Sequence, residues 1–333
     1  MKKRILIVTI AYRVGERMYP TIPKLSKQYT IDVLRVYQMH PNFKWPGTFD
    51  MRNHFENCYN EYVNKVFFEK EKIDYSSYDL IIYDDCRTNN GGDWIYQQAK
   101  CPVISCSHGN GDNMYKNNIN KVFDKLFLFG RQEITESYIH ATGIPSNDNL
   151  KNYLQVQKQH ILVIINFLGN HEAPFTKFNK DSIDSMNLLE LQKLYNLPIV
   201  FKLKSRHNNG SAEKDQSYLR SLLPKELQFK IIIDTTNDNL LIAESALVLG
   251  APSTLMCKSL QLKIPTLMFS GYGQTGIFKN YVGLIKLKSD TFFTYIDDIT
   301  SYKIQDEYIE NLIEGGTTFN STDIFINNIN KVI

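Results

Sequence analysis

Two doubly wound, Rossmann-like α/β domains facing a central cleft are the fold class that this 333-residue sequence predicts. Three observations carry the expectation. Short runs rich in Ile, Val and Leu alternate with amphipathic stretches along the whole chain. Those runs are continuously apolar, as strands buried on both faces of a parallel sheet must be. The alternation halts near residue 150 at a turn-rich segment, Thr142-Gly143-Ile144-Pro145-Ser146-Asn147-Asp148, and then starts again. Strand–helix alternation in two blocks means two α/β units, whose ligands sit beyond the carboxyl ends of the strands. The expected division is 1–150, 151–315 and a C-terminal helix within 316–333.

In the first block, Arg4–Ile10 and Ile31–Val36 read as strands around a weak helix at Pro20–Gln28. Met39–Phe49 carries two Pro and a Gly and reads as a loop. Phe55, Tyr59, Tyr62, Val66 and Phe67 lie near helical spacing, which predicts a helix over Met51–Lys72. Leu80–Tyr83, Pro102–Cys106 and Lys125–Phe129 are strands, with helices expected at Asp93–Ala99 and from Gln132 to His140. In the second block, strands are expected at Ile161–Phe167, Ile199–Leu203, Phe229–Ile233, Ala246–Leu249, Thr266–Phe269 and Gly283–Leu287. Helices fall between them at Ser182–Tyr195, Gln216–Leu223, Asn239–Ser245 and from Ser253-Thr254, followed by Ile304–Ile313 and Asp323–Val332.

Composition excludes several classes. A formal charge of only +3 implies no nucleic acid or other polyanion partner. The five cysteines (Cys58, Cys86, Cys101, Cys106 and Cys257) form no CxxC pair and sit mostly in apolar runs, which suits a reducing cytoplasmic compartment. The start, MKKRILIVTIAYR, has a basic lead, but its apolar run is short and lacks a small-residue cleavage site. It reads as a first strand and not as a signal peptide. No apolar segment reaches bilayer length, so membrane association is expected to be peripheral at most.

The stretch Gly250–Phe269 concentrates the phosphate chemistry. It reads as a strand end, a Gly-Ala-Pro turn and a helix opening at Ser253-Thr254. A helix N-terminus presents exposed N–H groups and partial positive charge to an anion, and two hydroxyls add donors. Lys258, four residues after Thr254, shares a helical face with it and brings a full charge. Lys202-Leu203-Lys204-Ser205-Arg206-His207 starts at another strand end, so Lys202, Lys204 and Arg206 are candidates for a diphosphate and its leaving-group charge. An ordinary capped helix and a solvated basic loop account for each feature taken singly. Their shared position at one sheet edge favours a donor-phosphate site.

In the first block Ser107-His108-Gly109-Asn110-Gly111 follows a buried strand directly. A His at a strand's carboxyl end suits a general base near neutral pH, and the glycines let a ligand approach. Asp84 and Asp85 also follow a strand; without a third ligand beside them they suit a cap or an acceptor-hydroxyl contact better than a metal. Arg13 and Arg17 flank Gly15 in an early loop that lacks GxGxxG spacing, which disfavours a dinucleotide. On the acceptor side the candidates are Arg13, Asp84, Asp85, Gly109 and Asn110, and no metal or cofactor is expected. Gly271-Tyr272-Gly273-Gln274-Thr275-Gly276 either shapes a base or sugar pocket or makes a mobile loop.

His-Gly after an N-domain strand, Gly-Ile-Pro-Ser-Asn-Asp at the boundary, Lys-Leu, then Ser-Thr and Lys-Ile-Pro occur in that order over about residues 100–270. This arrangement resembles the GT-B superfamily of glycosyltransferases, most closely the bacterial capsule-polymer and CDP-glycerol glycerophosphotransferase-like transferases. The resemblance implies that His108 activates the acceptor and that Ser253 and Thr254 hold donor phosphate. The boundary motif matches Gly143, Pro145, Asn147 and Asp148. Two positions depart from the pattern. Lys204 stands where the glycerophosphotransferase-like group has a second His, and Lys258 where many members carry a ribose-binding carboxylate. The implied partners are a nucleotide-activated sugar donor and a glycan or lipid-linked acceptor. The implied reaction is metal-independent sugar transfer in bacterial surface polysaccharide (capsule or lipooligosaccharide) synthesis. A CDP-glycerol-type polyol-phosphate transferase, a UDP-sugar epimerase or hydrolase, and a non-catalytic nucleotide- or glycan-binding homologue stay open as alternatives.

Overall fold

The computed structural model describes residues 2–9, 17–35, 58–84, 92–107, 123–131, 136–165, 180–203, 211–233, 237–250, 253–269, 285–287 and 306–333. Strands β1 (Arg4–Thr9), β2 (Thr30–Arg35), β3 (Lys65–Phe67), β4 (Leu80–Tyr83), β5 (Val103–Cys106), β6 (Lys125–Leu128) and β7 (Ile139–Ala141) form one sheet in the order β3-β2-β1-β4-β5-β6-β7. Strands β8 (His160–Ile165), β9 (Ile199–Leu203), β10 (Phe229–Ile232), β11 (Ser245–Gly250), β12 (Thr266–Phe269) and β13 (Ile285–Leu287) form a second, ordered β10-β9-β8-β11-β12-β13. Every pairing is parallel. Counted from its own first strand, each sheet begins 3-2-1-4-5-6, the doubly wound order whose direction of growth reverses beside the first strand.

Parallel strands need cover on both faces, and the apolar runs supply it. Ile5, Ile7, Val33, Leu80 and Ile82 pack on one face of the first sheet with Ile22 and Leu25 of α1 (Ile22–Gln28). Leu6, Val8, Leu34, Ile81 and Tyr83 pack on the other with Ile95 of α2 (Gly92–Gln98). In the second sheet Ile161, Val163, Phe201, Leu247 and Leu249 pack with Leu188 and Leu191. Each such side chain contributes about 1.5–3 kcal/mol by leaving water. Exposed pairs such as Lys72–Glu69 and Lys193–Glu190 contribute about 0–1 kcal/mol, so the burial decides stability.

Contacts divide the chain into two compact units. The first contains the described residues up to 149 together with 306–333, and the second those from 150 to 287. The helix α9 (Ser321–Val332) belongs to the first because Phe325, Ile326 and Ile329 complete the cluster around Ile5 and Ile82. It follows α8 (Asp306–Leu312), after α3 (Lys180–Ser185), α4 (Leu188–Tyr195), α5 (Ser211–Leu222), α6 (Asp238–Ala243) and α7 (Thr254–Gln261) of the second unit. Both oxygens of Asp148 accept backbone N–H groups that open α9, Ser321 at 2.9 Å and Thr322 at 2.7 Å. Gly143 makes this docking possible. Its φ is +72°, and a Cβ there would collide with Ser321 Oγ and the Glu314 carbonyl.

Three sequence expectations need correction. Within the helix expected over Met51–Lys72, residues 65–67 are β3, paired with Asp32–Leu34, and 60–62 and 70–72 are single 3₁₀ turns. The helical spacing of aromatics came from two short pieces abutting: Tyr59 and Tyr62 pack on the α1 face, while Phe67 faces the opposite core. Asn64 pins the edge by donating through Nδ2 to Asp32 Oδ1 at 2.8 Å, and Asp32 also accepts from Arg4 and Tyr78. The helix expected to reach His140 ends in a strand instead, because Ile139–Ala141 finds Leu126–Leu128 to pair with. The helix expected over Ser182–Tyr195 is two, interrupted at Asn187, whose φ of 45° is left-handed. The loop 39–49, the segments 51–57 and 132–135 and the loop 271–276 lie outside the described residues.

His160 begins β8 and is buried. Its Nε2 lies 3.0 Å from the Leu241 carbonyl, which only accepts, so that nitrogen carries the proton of the neutral ring. Ser245 Oγ donates to the same carbonyl at 3.0 Å. Burial, the largest effect, pushes the imidazole below its ordinary value; the Leu241 bond opposes it, and Lys158 and Lys230 add smaller downward pushes.

Two outcomes follow from these contacts. Replacing Asp148 by Ala should cost about 1–2 kcal/mol, the scale of a lost helix cap, read from urea unfolding. As pH falls, the unfolded chain protonates His160 first, at about 6.5. Stability should therefore be intact above that pH and decline below it toward the lower folded value. His160→Asn should flatten that part of a Tm-against-pH curve, and an unchanged slope would remove the assignment.

Candidate functional site

The strand-order reversal of the second sheet lies between β8 and β11. Gly250, the last residue of β11, lies against Ile164; a Cβ there would come within 2.8 Å of the Ile164 Cβ. Only glycine permits that approach of the two backbones. Beyond it, Ser253 caps α7, its Oγ accepting from the Leu255 N–H at 3.3 Å, and Thr254 is the first helical residue. The first turn of α7 contains no Asp or Glu, so its own side chains leave the positive end of the helix dipole uncompensated.

The lysines assigned to the same edge have internal contacts. Lys258 donates from Nζ to Asn239 Oδ1 at 2.7 Å and so ties α7 to the start of α6. Asn237 caps that start, accepting from the Leu240 N–H at 2.9 Å. Lys202 is 9% exposed and donates to the Ile233 carbonyl at 2.7 Å, joining the carboxyl ends of β9 and β10. Lys204 and Arg206 lie outside the described residues.

In the first unit, Asp84 follows β4 directly and is fully buried, its Oδ2 accepting from the Tyr19 hydroxyl at 2.8 Å. This contact binds the turn Tyr19–Thr21 over the sheet's carboxyl edge. Arg13, Asp85, His108, Gly109 and Asn110 lie outside the described residues. Ser107, which precedes His108, lines a small cavity of about 20 Å³ beyond β5 and β6, together with Arg17, Met18, Phe127, Phe129 and Thr142.

The sequence reading placed the start of α7 at Ser253-Thr254, as observed, but missed Tyr19 and Asn239, which hold two of its candidates. Asn237-Asp238-Asn239 before Leu240-Leu241-Ile242 is a helix-start signature that could have placed Asn239 at this edge. Tyr19 had no such signal, because only the sheet order brings residue 19 against residue 84.

No protein-family model and no curated protein matches the sequence. Solved structures do match in fold. The UDP-GlcNAc 2-epimerase of Neisseria meningitidis bound to UDP-GlcNAc superposes with a TM-score of 0.58 at 15% identity, covering 98% of this chain and 100% of its own. The Anabaena protein HepE in complex with UDP and glucose gives 0.57 at 12% identity over 99% of both chains. The wall teichoic acid polymerase TagF gives 0.51 at 13% identity, covering 98% of this chain and 89% of its own.

The cap makes a direct prediction. Ser253→Ala should destabilise α7 by about 1 kcal/mol in chemical unfolding, whereas Ser253→Gly should cost only a few tenths. With two parallel α/β sheets and this likeness over nearly its whole length, the chain has a GT-B-like two-domain fold.

Proposed function

We infer that this chain is a nucleotide-sugar enzyme, and specifically a metal-independent glycosyltransferase acting in bacterial surface-polysaccharide assembly. One observation carries the reading. The Ser253-capped helix α7 opens at the strand-order reversal of the second sheet, where doubly wound folds bind their ligands. Two of the matched structures, the Neisseria epimerase and HepE, have UDP-GlcNAc or UDP bound, which supports a diphosphate as that ligand. The second unit would hold the donor and the first the acceptor, with His108 taking the proton of the acceptor hydroxyl. The N–H groups at Ser253-Thr254 would stabilise charge on the departing phosphate, aided by Lys202, Lys204, Arg206 or Lys258. Binding that charge more tightly in the transition state than in the substrate is what accelerates transfer.

Lys258 shifts in emphasis under this reading. Its bond to Asn239 makes it a support for the second turn of α7, from which its charge still adds to the field at the helix start. An epimerase reading has its own support in the Neisseria structure, and TagF keeps polymer transfer in view. Acceptor dependence separates them, because an epimerase turns over the nucleotide sugar alone.

The experiment is a thermal-shift screen of CMP-, CDP-, GDP- and UDP-linked compounds, followed by turnover with and without acceptor. One nucleotide class should raise Tm by mass action. Ser253→Ala with Thr254→Ala should weaken that binding by about tenfold, the equivalent of 1.4 kcal/mol. His108→Ala should abolish transfer while leaving nucleotide binding in place. No response to any nucleotide, or full transfer by the His108 variant, would refute the reading.

A further inference from the structure

His140 is the middle residue of β7, the last strand in the order of the first sheet. It lies opposite Phe127 of β6, and the two rings meet edge-on at 6.0 Å between centroids. Phe127 in turn meets Phe325 of α9 edge-on at 5.2 Å. A row of three rings thus joins this side of the sheet to the returning helix. His140 is only partly buried, yet its Nε2 is enclosed and has no hydrogen-bond partner among the described residues. The charges that act on the ring are both positive, Lys125 of β6 and Lys331 of α9. Alternation along β6 puts Lys125 on the same face as Phe127. The acids of these elements are engaged elsewhere. Asp323, the one acid of α9, pairs with Lys24 of α1 at 2.7 Å. Asp124, just before β6, accepts from the Val103 N–H and the Tyr96 hydroxyl, and Glu136, before β7, is exposed.

A neutral imidazole can keep its one proton on Nδ1 and leave Nε2 a bare acceptor. The cation carries N–H on both nitrogens. Protonation would therefore enclose an unmatched donor and add a third positive charge to those of Lys125 and Lys331. Burial first, then Lys125 and Lys331, accordingly hold the ring below its ordinary value. The polar ties of α9 to α1 and its flank are exposed, Lys24 to Asp323 and the Tyr29 hydroxyl to Asn330 Oδ1 at 2.6 Å, and contacts of that kind hold weakly. The apolar face of Phe325, Ile326 and Ile329 carries the docking, and His140 borders it through Phe127. We propose that His140 is a proton-sensitive latch for α9: protonation of its ring loosens the returning helix from the first sheet. Phe127 and Phe325 also line the small cavity beside Ser107, so the loosening should reach the strand end that leads into His108.

The test is amide hydrogen exchange on the full chain, each rate corrected for its intrinsic dependence on pH. The ring titrates at about 6.5 when undocked and lower when docked, so α9 should be fully held above that pH and loosen as pH falls below it. Between about pH 7.5 and about pH 5.5, protection of the Phe325, Ile326 and Ile329 amides should fall by about tenfold, the effect of one proton taken up one unit below its free value. The β1 amides should keep their protection, because the helix opens without the sheet. Ordinary carboxylates titrate at about 4, outside this window, and His160 reports separately through the β8 amides of the second unit. His140→Gln, neutral at every pH, should hold α9 protection constant. An unchanged α9 in the wild type, an equal loss in β1, or the same loss in the Gln variant would overturn the proposal. If that variant does not fold, an NMR titration of the wild-type His140 ring decides: a midpoint below about 6.5 supports the latch, and one at or above it removes it.

Discussion

Strands β1 and β8 each lie between two parallel neighbours, and both of their faces must be kept from water. That constraint sets the rest of the architecture. It requires crossover connections that return to the amino end of the sheet, so helices cover both faces. It also fixes where a ligand fits, because the order 3-2-1-4 sends successive connections in opposite directions and opens a crevice beside the first strand. In the second sheet the crevice falls where Gly250 lets β11 approach Ile164, and α7 starts just beyond it.

Cover is incomplete from the contiguous chain alone in the first unit. Residues 321–332 return to finish the face formed by Ile5, Ile7 and Ile82, held by the two-oxygen contact of Asp148 with the start of α9. The boundary motif that suggested a family resemblance thus has a structural use. Gly143 provides a left-handed backbone, Asn147 is buried, and Asp148 caps the returning helix. Recurrence of such a motif need not imply contact with substrate.

A similar distinction applies to the charged candidates. Asp84 and Lys202 are sealed by their neighbours, and Lys258 braces one helix against another. Buried charge is costly unless it is paired, so a basic or acidic residue at a strand end serves the fold whenever a partner lies within reach. Arg17 lines the small cavity beside Ser107, its guanidinium carbon 5.2 Å from the centroid of the Phe129 ring.

By itself the sequence determined the two-block α/β character, most strand positions and the start of α7. These depend on local quantities: apolar runs four to six residues long, and a Ser-Thr pair after a Gly-Ala-Pro turn. Tertiary structure decided what depends on neighbours distant in sequence. Val66 and Phe67 became an edge strand because β2 had a free side, and Ile139 joined β6 for the same reason. Tyr19 found Asp84, and Asn239 found Lys258, only once the strand order had brought separate loops to one edge. Propensity and periodicity are sums over adjacent residues, whereas a hydrogen bond across a sheet edge is set by topology, which no local window contains.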